Sequence, residues 1–399
     1  MTDAPDSIVQ GDLQDQRITG YQSPLGVTRA HTATLRGVRT QSGFTFDQVE
    51  VAYQTLGTLS ARRDNAILVC HALSGTAHLA GLQPGTGRPG WWDYHVGPGK
   101  AIDTDKFFVV CSNVLGGCDG TTGPPSPRPE TGQPYGMDFP PVTVADMVAV
   151  QAKLIEHLGI SGLFAVIGGS MGGMQALAWA VQFPERVRVC IPIATCTSHS
   201  AMQIAFNEIG RQAIITDPNW NGGNYTPDRR PNHGLAVARM VGHVTYLSEY
   251  AMTRKFGRAL QPRLQADAEA ALFTVESYLH HQGESFVSRF DPNSYIYLTK
   301  ALDQFDLFGG EPPEEVLRRV QARFLVISFA SDWLYPPAQS RELVRLLKRA
   351  RVAATYINLE TLYGHDSFLI ENPGFANVVR HYLGNEYRIA NFKEAGAAI

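Results

Sequence analysis

Short apolar runs rich in β-branched residues recur along the chain: Ala66-Ile-Leu-Val-Cys70, Phe107-Phe-Val-Val-Cys111, Leu163-Phe-Ala-Val-Ile167, Val189-Cys-Ile-Pro-Ile193, Phe324-Leu-Val-Ile-Ser328 and Ala354-Thr-Tyr-Ile-Asn358. Their apolarity is continuous rather than alternating, which predicts strands covered on both faces, as in a parallel sheet. Pro192 inside one run predicts that a strand ends there. Helical spacing separates several runs. From Thr143 to Leu158, the residues Val144, Met147, Val148, Ile155 and Leu158 share one face; Thr143 and Asp146 stand at capping-box spacing and Gly159 closes the segment. A second helix is predicted over Met171–Gln182, and a third after Ser340, carrying Leu343, Val344, Leu346 and Leu347. Strands alternating with helices predict an α/β fold.

The stretch from 197 to 310 breaks this rhythm. Its segments 201–215, 234–252, 266–280 and 292–307 read as helical, and the pieces joining them, 217–231 and 309–313, are rich in Asn, Gly and Pro. The predicted organisation is a core of residues 16–196 and 310–399, interrupted by a helical lid over 197–309, with a polar, disordered tail at 1–15.

Composition narrows the function. The 399 residues are 44% apolar and 18% charged, enough to bury a large core and incompatible with wholesale disorder. Lys and Arg total 34 against 37 Asp and Glu, a net charge of -3, which disfavours a nucleic-acid binder. Five cysteines, at 70, 111, 118, 190 and 196, contain no C-x-x-C pair and read as reduced buried thiols rather than a disulfide framework or metal site. The acidic, polar start lacks the basic and apolar regions of a signal peptide, and no run approaches the ~18 apolar residues of a membrane span.

The sharpest chemical signal is Val166-Ile-Gly-Gly-Ser-Met-Gly-Gly173. It holds Gly168-x-Ser170-x-Gly172 between a strand-like run and a helix, the context of a nucleophile elbow. A tight turn flanked by small residues exposes Ser170 at the carboxyl edge of the sheet, and the new helix offers backbone N–H groups to a developing oxyanion. A serine nucleophile needs a base and an orienting acid, and in this fold class they follow it in the order acid, then histidine. His365 in Leu362-Tyr-Gly-His-Asp366 follows the last strand-like run and is the candidate base. Asp332, just after the run 324–328, is the favoured acid; Asp303 and Asp306 compete from a helical segment. Two backbone donors are expected to form an oxyanion hole: Met171, next to the nucleophile, and Leu73, in the loop Cys70-His-Ala-Leu-Ser-Gly75. His71 in that loop reads as structural.

With these pieces assembled, the chain closely resembles the homoserine O-acetyltransferase family of the α/β-hydrolase superfamily. The resemblance rests on His71–Gly75, Asn113-Val-Leu-Gly-Gly-Cys-Asp-Gly-Thr-Thr-Gly-Pro124, Gly168–Met174, Gly210–Ile214, Asp217-Pro-Asn-Trp220, Gly234-Leu-Ala-Val-Ala-Arg239, Ser331-Asp-Trp-Leu334 and Gly364-His-Asp366, and spans about residues 20–385. It implies an α/β-hydrolase fold with a mostly parallel central sheet, helices on both faces and a helical lid. It also implies ping-pong acyl transfer: acetyl-CoA acylates Ser170, and the hydroxyl of homoserine then takes the acetyl group, giving a precursor of methionine.

Arg239 matches the family's carboxylate-binding arginine and Asp366 the residue that holds the ammonium; a zwitterionic substrate requires both charges. Tyr246, two helical turns beyond Arg239, falls on the same face. Arg211 lines a CoA tunnel or supports the lid. In relatives that transfer succinyl, an arginine stands two residues after the catalytic Asp; here Leu334 holds that place, and a leucine leaves a buried carboxylate unpaired, so acetyl-CoA is the expected donor. The family is cytoplasmic and usually dimeric through the lid. No metal and no bound cofactor is expected, and neither nucleic acid nor a membrane is an expected partner. The remaining readings are a homoserine or serine O-succinyltransferase, a transferase using serine as acceptor, a serine esterase or thioesterase with the same triad, and a non-catalytic binding protein.

Overall fold

The computed structural model describes residues 21–261 and 273–397. An eight-stranded sheet runs in the order β1-β2-β6-β3-β7-β8-β9-β10. The strands are β1 His31–Arg39, β2 Thr45–Leu56, β3 Ala66–Cys70, β6 Phe108–Ser112, β7 Leu163–Gly169, β8 Val187–Ile193, β9 Arg323–Phe329 and β10 Ala354–Leu359; two short strands, β4 Val96–Gly97 and β5 Ile102–Asp103, pair apart from them. From β6 to β10 every pair is parallel, while β2 is antiparallel to both β1 and β6.

The central strands are continuously apolar because they feed two cores. Ala66, Leu68 and Cys70 face one, with Met147, Leu154, Met174 and Leu347. Ile67 and Val69 face the other, with Phe375, Val379 and Leu383. The first core is closed by helices α1 Val144–His157, α2 Met171–Gln182 and α9 Pro337–Arg349, the second by α10 Pro373–Ala397. Thr143 and Asp146 cap α1 reciprocally, as their spacing predicts. Pro192 lies one residue before the end of β8; the β8–β9 ladder pairs Cys190 and Ile193 but skips the two residues between, where proline has no N–H to give.

Between β8 and β9 come α3 Ala201–Ile215, α4 Asn232–Tyr246, α5 Glu249–Lys255, α6 Thr274–Val287, α7 Pro292–Asp303 and the short α8 Pro313–Arg318. Three expectations are corrected. The segment 234–252 is two helices, because Leu247 leaves the helical region and Ser248 caps α5. The junction is held from outside: Trp333 donates to the Leu247 carbonyl (3.0 Å) and Ser248 to the Leu362 carbonyl. The segment 292–307 stops at Asp303, since Ser198 and Asp306 form a bridge and Leu307 donates to the Thr197 carbonyl. The third core helix begins at Pro337, with prolines at its entry, and Ser340 is buried inside it. The helix expected over 266–280 begins at Thr274 among the described residues; 266–272 and the tail 1–15 lie outside them.

Among the described residues, no helix is long and apolar enough to cross a membrane. The five cysteines are free thiols, and burial pushes those of Cys118 and Cys196 up to about 12.

Candidate active site

Ser170 sits between β7 and α2 with φ 56° and ψ -122°, a left-handed conformation for a residue with a side chain. The turn is held on all sides: the Ser170 N–H donates to Ile193 (3.0 Å), and its carbonyl accepts from Thr195 Oγ1 (2.8 Å) and the Gly173 N–H (2.9 Å). Its glycines are needed for packing. A Cβ on Gly172 would lie 2.1 Å from the Cys70 carbonyl oxygen, and one on Gly169 2.5 Å from the Phe368 ring. Gly172→Ala is therefore expected to cost about 2 kcal/mol or more in chemical denaturation, because the obstacle is strand backbone. Gly384→Ala, where a Cβ meets nothing within 4 Å on α10, should be neutral or mildly stabilising. Equal stability of the two variants would contradict this account.

Asp332 and His365 come together from the loops after β9 and β10. His365 Nδ1 donates to Asp332 Oδ2 at 2.8 Å, and both side chains are buried. That bond places the proton on Nδ1 and leaves Nε2 as the acceptor. The loops are tied to each other, with the Gly364 N–H donating to Ser331 Oγ (3.0 Å). They are also tied to the lid: a Cβ on Gly364, φ +73°, would strike the Ser248 nitrogen at 2.6 Å. Burial opposes charging of His365, but Asp332 and, further out, Asp366 outweigh it and hold the imidazole above the usual histidine range. A base must be unprotonated, so the acid limb of the reaction should lie above ordinary histidine titration. Asp366→Asn removes one of the raising charges and should move that limb to lower pH. The profile is best read on ester cleavage, which needs no amino acid; an unmoved limb would sink the assignment.

Outside the helices and strands, neither the Leu73 nor the Met171 amide donates to a backbone carbonyl among the described residues. Met171 is the first residue of α2, where amides have no partner within the helix. A buried polar network underlies both. Gln175 donates to the Met171 carbonyl (3.3 Å) and the His71 carbonyl (3.2 Å), and accepts from Gln151 (2.7 Å). His71 is neutral and enclosed: burial pushes it down to about 4, and Nδ1 donates to the Ala72 carbonyl at 2.8 Å.

Leu73, Ser170, Tyr246, Leu334 and Tyr335 line one cavity of about 50 Å³ under the lid. Leu73 also lines a neighbouring space of about 280 Å³, with His71, Asn113 and Arg289. Arg239 is 4% exposed. Its guanidinium lies over the rings of Phe286 (4.7 Å) and Tyr246 (5.7 Å) and bonds Ser74 Oγ at 3.3 Å. The Tyr246 ring centre is 6.0 Å from that of His365, so α4 brings Arg239 and Tyr246 to the same place.

Of the competing acids, Asp303 turns away from His365. It accepts from Arg211 (2.6 Å), Asn207 (2.7 Å) and His199 (2.9 Å), which places Arg211 as a lid support. Sequence reasoning missed Tyr335 and His199, which adjoin this site; the only signal was that Tyr335 stands three residues after Asp332. Among the described residues, no group of three or more His, Cys, Asp or Glu side chains is placed to hold a metal ion.

Residues 65–369 match the family described as the alpha/beta hydrolase fold. The homoserine O-acetyltransferase of Methanohalobium evestigatum is 55% identical over 348 residues, 87% of this chain and 71% of that one. The crystal structure of a homoserine O-acetyltransferase from Bacillus anthracis is similar with a TM-score of 0.82 at 32% identity, over 90% of this chain and 98% of that one. That of an esterase is similar with a TM-score of 0.82 at 31% identity, over 89% of this chain and all of that one. A serine at a strained strand-to-helix turn, a buried His–Asp pair on the loops after β9 and β10, and this level of identity lead to one assignment: the chain belongs to the homoserine O-acetyltransferase family of the α/β-hydrolase fold.

Proposed function

We propose that this chain moves an acetyl group from acetyl-CoA to the hydroxyl of L-homoserine through an acetyl-Ser170 intermediate. Ser170 Oγ attacks the thioester carbonyl carbon while its proton passes to His365 Nε2. The oxyanion is held by the Leu73 and Met171 N–H groups, and CoA leaves as the thiol with the proton from His365. The homoserine hydroxyl then attacks the acetyl carbonyl and gives its proton to His365, which returns it to Ser170 as O-acetyl-L-homoserine departs. Asp332 holds the imidazole in the required tautomer and stabilises its charged form.

The observation that favours transfer over hydrolysis is the buried Arg239 beside the cavity. A cation kept from water over two aromatic rings fits a substrate carboxylate, and Asp366, next to His365, supplies the charge for the ammonium. Leu334 lines the cavity and gives a succinyl carboxylate no partner, which favours acetyl-CoA as the donor. The reading places the enzyme in the cytoplasm, as a homodimer. The exposed apolar side chains Met202, Ile209, Val244 and Tyr250 on the lid helices suit a lid-to-lid interface.

A plain esterase is the second reading, favoured by the similar esterase structure. The deciding experiment follows CoA release from acetyl-CoA and succinyl-CoA with homoserine, serine or no acceptor. Release that needs both acetyl-CoA and homoserine, with O-acetyl-homoserine identified by mass, is expected. Sustained release without acceptor would make the protein a hydrolase, and a preference for succinyl-CoA would overturn the reading of Leu334.

A further inference from the structure

Among the described residues, three aromatic rings lie against the His365 imidazole, and they do not meet it alike. Phe368 is edge-on, with centres 5.7 Å apart and planes at 78°, and Tyr246 lies tilted, at 6.0 Å and 39°. Tyr335 stacks on it, with centres 4.8 Å apart and planes at 21°. The bond from Nδ1 to Asp332 Oδ2 holds one end of the imidazole. One bond leaves the ring free to tilt about that contact, and the outer torsion of a histidine is soft. A parallel ring against its face blocks the tilt on that side.

Tyr335 is itself held at both ends. It is 4% exposed, and its backbone N–H donates to Asp332 Oδ1 at 2.8 Å. Pro336 follows it and narrows the backbone range of the residue before. At the far end the hydroxyl meets His199 Nε2 at 2.8 Å; whichever atom donates, the bond fixes where the ring points. His199 stands just before α3, and its Nδ1 is 2.9 Å from Asp303 Oδ1 at the end of α7. Asn207 and Arg211 of α3 donate to the same carboxylate at 2.7 and 2.6 Å, so α3 and α7 are joined where His199 is held. A continuous line of contacts therefore runs from these two helices through His199 and Tyr335 to His365.

We propose that Tyr335 is a positioning residue: its ring holds the His365 imidazole at the tilt that its work as a base requires, and its bond to His199 makes that tilt depend on where α3 and α7 stand. The helices between β8 and β9 thereby act on the base as well as covering the cavity. This rests on His365 acting as the base for Ser170.

The effect is read in the reaction of Ser170 with a small alkyl fluorophosphonate, in which Oγ bonds phosphorus, fluoride leaves and the serine proton passes to His365. The amplitude of labelling counts the folded sites, while its limiting rate at saturating probe reports the chemistry at each site, so loss of fold and loss of position are read apart. Tyr335→Leu removes both the stack and the bond to His199, and the limiting rate should fall by about 100-fold, the scale of a small misplacement of a reacting group. Tyr335→Phe keeps the stack and removes only the bond; it should recover most of the loss and stay about 3- to 10-fold below wild type. His199→Phe cuts that bond from the other side and should match Tyr335→Phe. The double variant should be no slower than the slower single one, because both remove the same contact. A limiting rate for Tyr335→Leu within about threefold of wild type, or a Tyr335→Phe as slow as Tyr335→Leu, overturns the positioning role. Losses that multiply in the double variant overturn the link to α3 and α7. If His365→Ala is labelled as fast as wild type, the base assignment fails and this proposal with it; if labelling behaves as expected but homoserine accepts no acetyl group, only the proposed transfer fails.

Discussion

Ser170→Ala is expected to lower acetyl transfer by at least about 10⁴-fold while leaving the protein folded. The proposed mechanism splits one difficult step into two through a covalent intermediate, and without Oγ neither half exists; nucleophiles acting as part of a triad typically lose this much or more when removed alone. The fold should tolerate the change. The strained turn is held through the Ser170 backbone, by bonds to the Ile193 carbonyl, Thr195 Oγ1 and the Gly173 N–H, none of which uses Oγ. Turnover measured as CoA release, together with thermal unfolding, makes the comparison. Retention of more than about 1% of wild-type activity in a folded protein would remove Ser170 from the chemistry.

Arg239→Met is expected to raise the KM for homoserine by about 100-fold or more and to leave fluorophosphonate labelling of Ser170 within about threefold of wild type. Methionine keeps much of the volume over Phe286 and Tyr246 but offers no charge to the carboxylate, and truncating one partner of a buried charge pair costs roughly 2–5 kcal/mol. The split matters because the acylation half-reaction of the proposed mechanism involves no amino acid. Arg239→Lys should recover only part of the loss, since an ammonium cannot grip a carboxylate bidentately. An unchanged KM for homoserine would end the assignment of Arg239 as the carboxylate anchor and weaken the case for transfer over hydrolysis.

The parts of the fold legible in the sequence are those whose local pattern and tertiary environment agree. β3 and β7 read as strands because burial on both faces requires every residue to be apolar. β1 and β2 went unseen because they are one-sided: in β1, Ala33 and Leu35 are buried between exposed Thr32, Thr34 and Arg36, and the run His31–Arg39 is too polar to stand out. Helix α10 went unseen for a related reason. Its apolar face, Phe375, Val379 and Leu383, is short against its polar surroundings, and the residues after 385 carried no readable signal although the helix runs to Ala397.

The sequence by itself determined the alternation of the central strands with helices, the Gly-x-Ser-x-Gly turn, and the placing of Ser170, Asp332 and His365 each after a strand, because a parallel sheet brings all such loops to one edge. It also marked Arg239 and Asp366 through the family resemblance. Only the tertiary structure decided what those groups meet. Leu247 breaks a helix because Trp333 and Leu362 hold the junction, Arg211 faces Asp303 rather than the cavity, and Asp303 pairs with His199 rather than His365. Local pattern reports the average polarity of a residue's surroundings, whereas the hydrogen bonds of His199 to Asp303 and Tyr335 join side chains brought together by folding from positions far apart in the chain.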